Sequence, residues 1–381
     1  MFASLAALSM SAPPQISWTG LRCCVTGGAG FVGRRLVEMC LERGAAHVVS
    51  FDIAPPAADA AADSPQLRHA VGDITKLDDV RAALQGVDCV FHVAALVGPF
   101  YDTEAYEAVN YRGTLNVLEA CKELGVRKVV MSSSPSTRFD PWNLDISGLK
   151  EEQLQFPDER IPPRGFTAEY ARTKAFGERA LRAANDGEKL MTVAIAPHQV
   201  YGPRDSLFLP SLLETAGYGQ LRIFGKGGNR ISFTHVDNYC HALLLGERYL
   251  YPGSPVLGKF YIATDDDSYD FWAVLDEAVK AMGYTPLASK WHLPVWLLMM
   301  VAYISVALTK ITGVKYKLNP FTVKMLIINR YFDISNIKQD MGYKPIIPFE
   351  QGWADTIEWF KENWLTGKTN FKAQPAPKAG E

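Results

Sequence analysis

Cys23-Cys24-Val25-Thr26-Gly27-Gly28-Ala29-Gly30-Phe31-Val32-Gly33 is the stretch on which the reading of this 381-residue chain turns. Leu21 to Val25 is an apolar run of strand length, and from Phe31 to Leu41 apolar residues return at helical intervals. Gly27, Gly30 and Gly33, spaced three apart, stand between the two. A strand that turns straight into a helix aims free backbone N–H groups and the positive end of the helix dipole at one spot. A pyrophosphate fits there. Gly27 permits the tight turn, Gly30 lets a phosphate approach the backbone, and Gly33 lets the helix lie close on the strand. A glycine triplet alone is an ordinary loop; with a legible strand before it and a helix after, it predicts dinucleotide binding.

The chain beyond it repeats the alternation. His47 to Asp52 reads as a second buried strand that ends in a carboxylate, 19 residues past Gly33. An acid placed there accepts hydrogen bonds from the adenosine ribose and repels a 2′-phosphate, which favours NAD over NADP. Leu67 to Val71 is a third strand. Asp73, just after it, is expected to bond the adenine amino group, to cap a helix beginning near Lys76, or to do both. Asp88 to Val93 is a fourth strand, followed by the small residues Ala94 and Ala95. Tyr106 to Leu124 has helical periodicity, and Arg127 to Met131 is a fifth strand that runs into Ser132-Ser133-Ser134. Strand and helix in turn predict an α/β fold with a doubly wound parallel sheet of the Rossmann type. Ligands bind beyond the carboxyl ends of such strands, where the glycine turn and the serine run both fall.

Tyr170-Ala171-Arg172-Thr173-Lys174 places a phenol and an ammonium four apart, on one helical face. A free tyrosine, with a pKa of about 10, is a poor base at neutral pH. A neighbouring cation is expected to stabilise the phenolate and lower that value. A tyrosine four before a lysine is common on solvated helices. It becomes informative here because it follows a serine-ended strand in a dinucleotide-binding pattern.

Composition narrows the class. With 48% hydrophobic and 21% charged residues the chain is globular. A net charge of −2 and the lack of any basic block argue against a nucleic-acid partner. Six cysteines without a CxxC pair, and seven scattered histidines, predict neither disulfides nor a metal site. The expected division is a mobile lead-in (1–20), a nucleotide-binding domain (21–195), a smaller α+β substrate lobe (196–365) and a loose tail (366–381). In the lobe, Leu221 to Phe224 and Ile231 to Phe233 read as short strands, Val236 to Tyr249 and Tyr269 to Met282 as helices. The stretch Phe139 to Phe166 is expected to wall the substrate pocket.

Together the glycine turn, the serine-ended strand and the YxxxK helix resemble the extended short-chain dehydrogenase/reductase family. Ala196-Pro197-His198-Gln199-Val200-Tyr201-Gly202-Pro203-Arg204-Asp205, Phe233-Thr234-His235-Val236-Asp237-Asn238 and Arg330-Tyr331-Phe332-Asp333 are similar to its 3β-hydroxysteroid dehydrogenase branch, nearest to members acting on sterol 4α-carboxylates. The resemblance implies a cofactor, NAD, held by Gly27, Gly30, Phe31, Val32, Gly33, Asp52, Asp73, Ile74, Ala94 and Lys174. It implies catalysis by Tyr170, Lys174 and a serine, Ser134 or its neighbour Ser133, on a sterol 3β-hydroxyl. One departure stands out: the branch commonly has arginine where this chain has Ala196. A steroid dehydrogenase/isomerase, a nucleotide-sugar epimerase or dehydratase, and a non-catalytic NAD-binding subunit are the other readings.

Trp291 to Thr309 carries no formal charge and is bracketed by Lys290 and Lys310. Spanning a bilayer takes about 20 apolar residues, and Pro294 and His292 shorten the usable part. Trp291, Trp296, Lys315 and Lys317 suit a membrane interface, so attachment to one face is expected. The resemblance implies the endoplasmic reticulum membrane, the catalytic domain facing the cytosol, with other sterol-demethylation enzymes or a second copy as partners.

Overall fold

The computed structural model describes residues 17–56, 64–98, 101–140, 145–154, 165–312 and 318–365. Most of the expected lead-in, the tail, Lys315 and Lys317 therefore lie outside the described residues, as do 141–144 and 155–164 of the stretch after Phe139.

The first half alternates as the apolar pattern dictates. Strand β1 (Arg22–Thr26) leads into helix α1 (Phe31–Glu42), then come β2 (His47–Asp52), β3 (Leu67–Val71), α2 (Leu77–Ala83) and β4 (Cys89–His92). A long helical stretch follows in three pieces: α3 (Thr103–Tyr106), a π-helical turn (Glu107–Arg112) and α4 (Gly113–Leu124). It starts three residues earlier than the sequence suggests, because Asp102 caps it by accepting from the Ala105 N–H. Strand β5 (Lys128–Ser132), the short β6 (Ile146–Leu149), helix α5 (Glu169–Ala183) and β7 (Met191–Pro197) complete this half.

The remainder holds β8 (Val200–Tyr201), α6 (Leu209–Gly217), β9 (Arg230–Ser232), β10 (Thr234–His235), α7 (Val236–Arg248), β11 (Phe260–Ala263), β12 (Ser268–Asp270) and α8 (Phe271–Ala281). Helices α9 (Val295–Thr312) and α10 (Pro320–Met325), strand β13 (Arg330–Phe332), and helices α11 (Ser335–Met341) and α12 (Phe349–Trp359) close it. Leu221 to Phe224 is no strand: its one rung is the bridge from Phe224 to Leu293.

Seven strands form one parallel sheet in the order β11-β7-β5-β4-β1-β2-β3. The order reverses at β1, between β4 and β2, and such a switch point opens a crevice at the carboxyl ends. Helix α1 packs with α7, and α4 with α2 and α5, as helical layers of the sheet. A second sheet, β12-β9-β13-β6, belongs to the lobe.

Two apolar cores result. One surrounds the parallel sheet; the other gathers Trp272, Trp353, Phe233 and Phe271 in the lobe. The division expected at residue 195 needs correction, because the chain returns to the first core afterwards. Helix α7 packs on β5 and β7, and β11 adds the sheet's edge strand beside β7. An edge strand with four buried residues, Phe260 to Ala263, satisfies its backbone only by joining a sheet.

Candidate active site

The glycine turn is built by close contact. Gly27 has φ +74°, and a Cβ on it would lie 2.8 Å from the Ala94 backbone N, where β4 exits beside β1. A Cβ on Gly33 would lie 1.9 Å from the Gly27 carbonyl oxygen. Gly30 is looser, at 3.3 Å, and serves as the N-cap of α1 without any side-chain cap. The first N–H groups of that helix, at Phe31, Val32 and Gly33, thus front a cavity of about 690 Å³. Gly27, Gly30, Asp52, Asp73, Ile74 and Ala94 line the same cavity.

Asp52 ends β2 with its carboxylate strapping the turn: Oδ2 accepts from the Ala29 N–H at 3.0 Å and Oδ1 from Ala54 at 3.0 Å. A carboxylate offers about four acceptor positions, so it retains capacity for a ribose. Asp73 is no helix cap. Its side chain accepts from Thr75 at 2.9 Å, and α2 begins after Lys76 with no side-chain cap. Ala94 donates its N–H to Thr26 Oγ1. These residues fit a dinucleotide: a turn that a Cβ would fill, an uncapped helix start, and an acid at the second strand's end.

At the other end of the cavity Tyr170 and Lys174 project from the first turns of α5, and Ser134 follows β5 as the N-cap of a 3-10 turn, Pro135–Arg138. The three serines diverge. Ser132 lends its carbonyl to Lys174 Nζ at 2.6 Å and its hydroxyl to Tyr239 at 2.8 Å. Ser133 donates to Glu178 at 2.6 Å. Ser134 Oγ meets Ser136 Oγ at 2.9 Å and is the serine hydroxyl that acts on the Tyr170 phenol, lowering its pKa.

The electrostatics differ from the expectation in one respect. Burial pushes the Tyr170 phenol up to about 12, with the Ser134 hydrogen bond opposing it, and burial brings Lys174 down to about 8. Desolvation therefore dominates, and the group that opposes it is Ser134, not the lysine.

Two residues that sequence reasoning passed over also belong here. Asn110, in the π-helical turn, accepts from the Leu96 N–H at 2.8 Å and donates to the Leu96 carbonyl at 3.1 Å, pinning the loop after Ala94. Arg330, quoted above only as part of a motif, lines the cavity at 8% exposure. Burial brings its guanidinium down to about 10, still cationic at neutral pH. Among the described residues its Nε has no partner, and its Nη1 meets the neutral ring of His198 at 3.1 Å. Ala196, by contrast, is fully buried in β7. Among the described residues no metal-binding cluster occurs, and all six cysteines are buried free thiols.

A dinucleotide crevice with serine, tyrosine and lysine converging at its far end defines a dehydrogenase of the extended short-chain dehydrogenase/reductase class. Residues 24–295 match the 3-beta hydroxysteroid dehydrogenase/isomerase family. The chain belongs to that family. The human sterol-4-alpha-carboxylate 3-dehydrogenase, decarboxylating, is 34% identical over 346 residues, covering 89% of this chain and 88% of that one. The 3beta-hydroxysteroid-dehydrogenase/decarboxylase isoform 1 of Arabidopsis thaliana is 32% identical over 383 residues, 96% of this chain and 83% of its own. Among solved structures the fold is shared with MoeE5 in complex with UDP-glucuronic acid and NAD, at TM-score 0.66 and 24% identity (90% of this chain, 99% of that one). The epimerase Mth375 of Methanothermobacter thermautotrophicus matches at TM-score 0.70 and 20% identity (92% and 96%).

Proposed function

We propose that this protein oxidises the 3β-hydroxyl of a sterol bearing a 4α-carboxylate, with NAD as acceptor, and that loss of CO2 follows. Arg330 carries the reading: a buried guanidinium that no carboxylate pairs with among the described residues, in the wall that also holds Tyr170 and Ser134. A desolvated unpaired cation is costly, and a ligand anion offsets that cost. Phe139, Leu207, Phe208, Phe321 and Met325 give the same cavity a large apolar share, with His198, Gln199, Asp205 and Ser206 among its polar lining. One anion on a large apolar body suits a carboxylated sterol, whereas a nucleotide sugar brings two phosphates and many hydroxyls. The names of the human and Arabidopsis relatives support the same substrate class.

The turn at Gly27–Gly33 and the start of α1 fit the pyrophosphate of NAD, and Asp52 fits its adenosine ribose. Bound there, NAD supplies the acceptor for the hydride from C3. Tyr170, as the phenolate, takes the hydroxyl proton and becomes the neutral phenol, and Ser134 holds the same oxygen by a hydrogen bond. Lys174 would bind the nicotinamide ribose, one turn from the phenol. Arg330 orients the carboxylate so that C3 faces Tyr170. The resulting β-keto acid loses CO2 as the bond from C4 breaks and its electron pair passes to the ketone as an enolate. No further catalytic group is required.

A lipid substrate fits the exposed apolar surface of α9, which supports attachment to the endoplasmic reticulum membrane with the catalytic body in the cytosol. No helix among the described residues is long and apolar enough to cross a membrane.

Arg330→Met tests the substrate. Assayed on a pair of 3β-hydroxysterols with and without the 4α-carboxyl, the ratio of the two kcat/KM values should fall by at least about 10-fold, the scale of a charged hydrogen bond. An unchanged ratio removes the carboxylate from the assignment.

A further inference from the structure

Arg330 meets His198, which stands at the joint between the two sheets. His198 follows β7 of the parallel sheet, and Arg330 opens β13 of the lobe's sheet. The imidazole Nδ1 lies 2.7 Å from the Ser232 carbonyl oxygen, and Nε2 lies 3.1 Å from Arg330 Nη1. A carbonyl only accepts and a guanidinium only donates, so the proton sits on Nδ1 and Nε2 presents its lone pair to the arginine. One neutral tautomer satisfies both contacts.

The histidine is itself clamped. Its N–H donates to Thr234 Oγ1 at 3.1 Å, and the same hydroxyl donates back to the His198 carbonyl at 2.8 Å. Its ring meets Phe332 edge-on, with centroids 5.1 Å apart. Gln199, the next residue, takes φ +46°, a conformation an L-residue adopts only when its surroundings impose it. Backbone and ring are thus both fixed, and His198 is 6% exposed.

The choice of partner matters for charge. An aspartate or glutamate would hold the guanidinium equally well, but would neutralise it and compete with a substrate carboxylate. A neutral imidazole fixes the fork and leaves the full positive charge available. Burial beside Arg330 brings the His198 ring down to about 3, so it stays an acceptor across the physiological range.

We propose that His198 is a positioning residue that presents Arg330, as an oriented and un-neutralised cation, to the carboxylate of the substrate. This rests on the assignment of Arg330 made under the proposed function. By this account His198 sets selectivity between carboxylated and uncarboxylated sterols without touching the reacting atoms.

The test compares the wild type, His198→Leu and His198→Gln on the same pair of 3β-hydroxysterols. Melting temperature and NAD binding are measured alongside, to establish that each variant is folded. His198→Leu should lower the ratio of kcat/KM (carboxylated over uncarboxylated) by about 10- to 100-fold, the range for a hydrogen bond to a charged group, chiefly through KM. His198→Gln retains a neutral acceptor and a donor, and should restore most of the ratio. If His198→Leu lowers both values in proportion, or leaves both unchanged, the positioning role is wrong. If Leu and Gln behave alike, it is wrong as well. A wild type that shows no preference for the carboxylated sterol contradicts the substrate assignment itself, whereas a preference that survives His198→Leu contradicts only this inference.

Discussion

Ser132, Ser133 and Ser134 are identical in the sequence and have three different neighbours in the fold. Ser133 completes a buried cluster in which Glu178 also receives Arg138, at 2.5 Å and 2.9 Å. Of the three, Ser134 is the one whose hydroxyl acts on the phenol. Ser134→Ala should therefore lower kcat by about 10²-fold or more while leaving the melting temperature in place. Ser133→Ala should do the reverse, costing about 1–3 kcal/mol of stability and little turnover. Steady-state kinetics and calorimetry on the two variants separate the roles, and a larger loss of kcat in Ser133→Ala would exchange them. The glycines and Asp52 could be placed from sequence because their meaning is local, set by one strand-turn-helix. Ser134 against Ser133 depends on a half-turn of backbone after β5, and Arg330 on a contact 132 residues distant in sequence. Neither leaves a local pattern.

Among the elements, α9 inverts the usual arrangement of a surface helix. Leu298 and Ala302, four apart, are its buried residues, at 4% and 0% exposure. Trp296, Met300, Tyr303, Ile304 and Ile311 face outward, where a water-facing helix carries polar groups. Its successor α10 packs on it and gives Phe321 and Met325 to the cavity wall. The paired substitution Trp296→Glu and Ile304→Glu should abolish co-flotation with phospholipid vesicles and leave the melting temperature nearly unchanged. Flotation equal to that of wild type would show that this face does not meet lipid. The helix itself was legible from composition. Its seating was not, because a segment apolar on every side has no periodicity to show which face is inward.

At the scale of the molecule, the doubly wound parallel sheet and its crevice followed from the alternation of strand and helix, whereas the strand order and the division into two bodies did not. β11, apolar and buried from Phe260 to Ala263, completes the parallel sheet, and β12, Ser268 to Asp270, joins the other one only a few residues later. Binding of buried histidines into both halves has a consequence for stability. His92, between Thr26 and Thr114, and His198 are each held down to about 3 by burial. An unfolded histidine titrates near 6.5, so below that pH the unfolded chain binds protons that the folded one refuses, and stability falls towards pH 3. Asp265 opposes this: burial raises it to about 6, so the folded form takes its proton first. His47, His235 and His241 are held down too, and Glu151 and Asp205 are pushed up too, so five histidines stand against three carboxyls, and calorimetry should find a lower melting temperature at pH 5 than at pH 7.5. A flat or rising profile would mean that the histidines are not buried neutral.

The most direct measurement incubates the purified protein with NAD and a 3β-hydroxysterol bearing a 4α-carboxyl, following NADH and CO2 together. NADH and CO2 should appear one for one, and Tyr170→Phe should slow both by about 10²–10⁴-fold while still binding NAD. NADH formation from UDP-sugars but from no sterol, or an undiminished rate in Tyr170→Phe, would contradict the account.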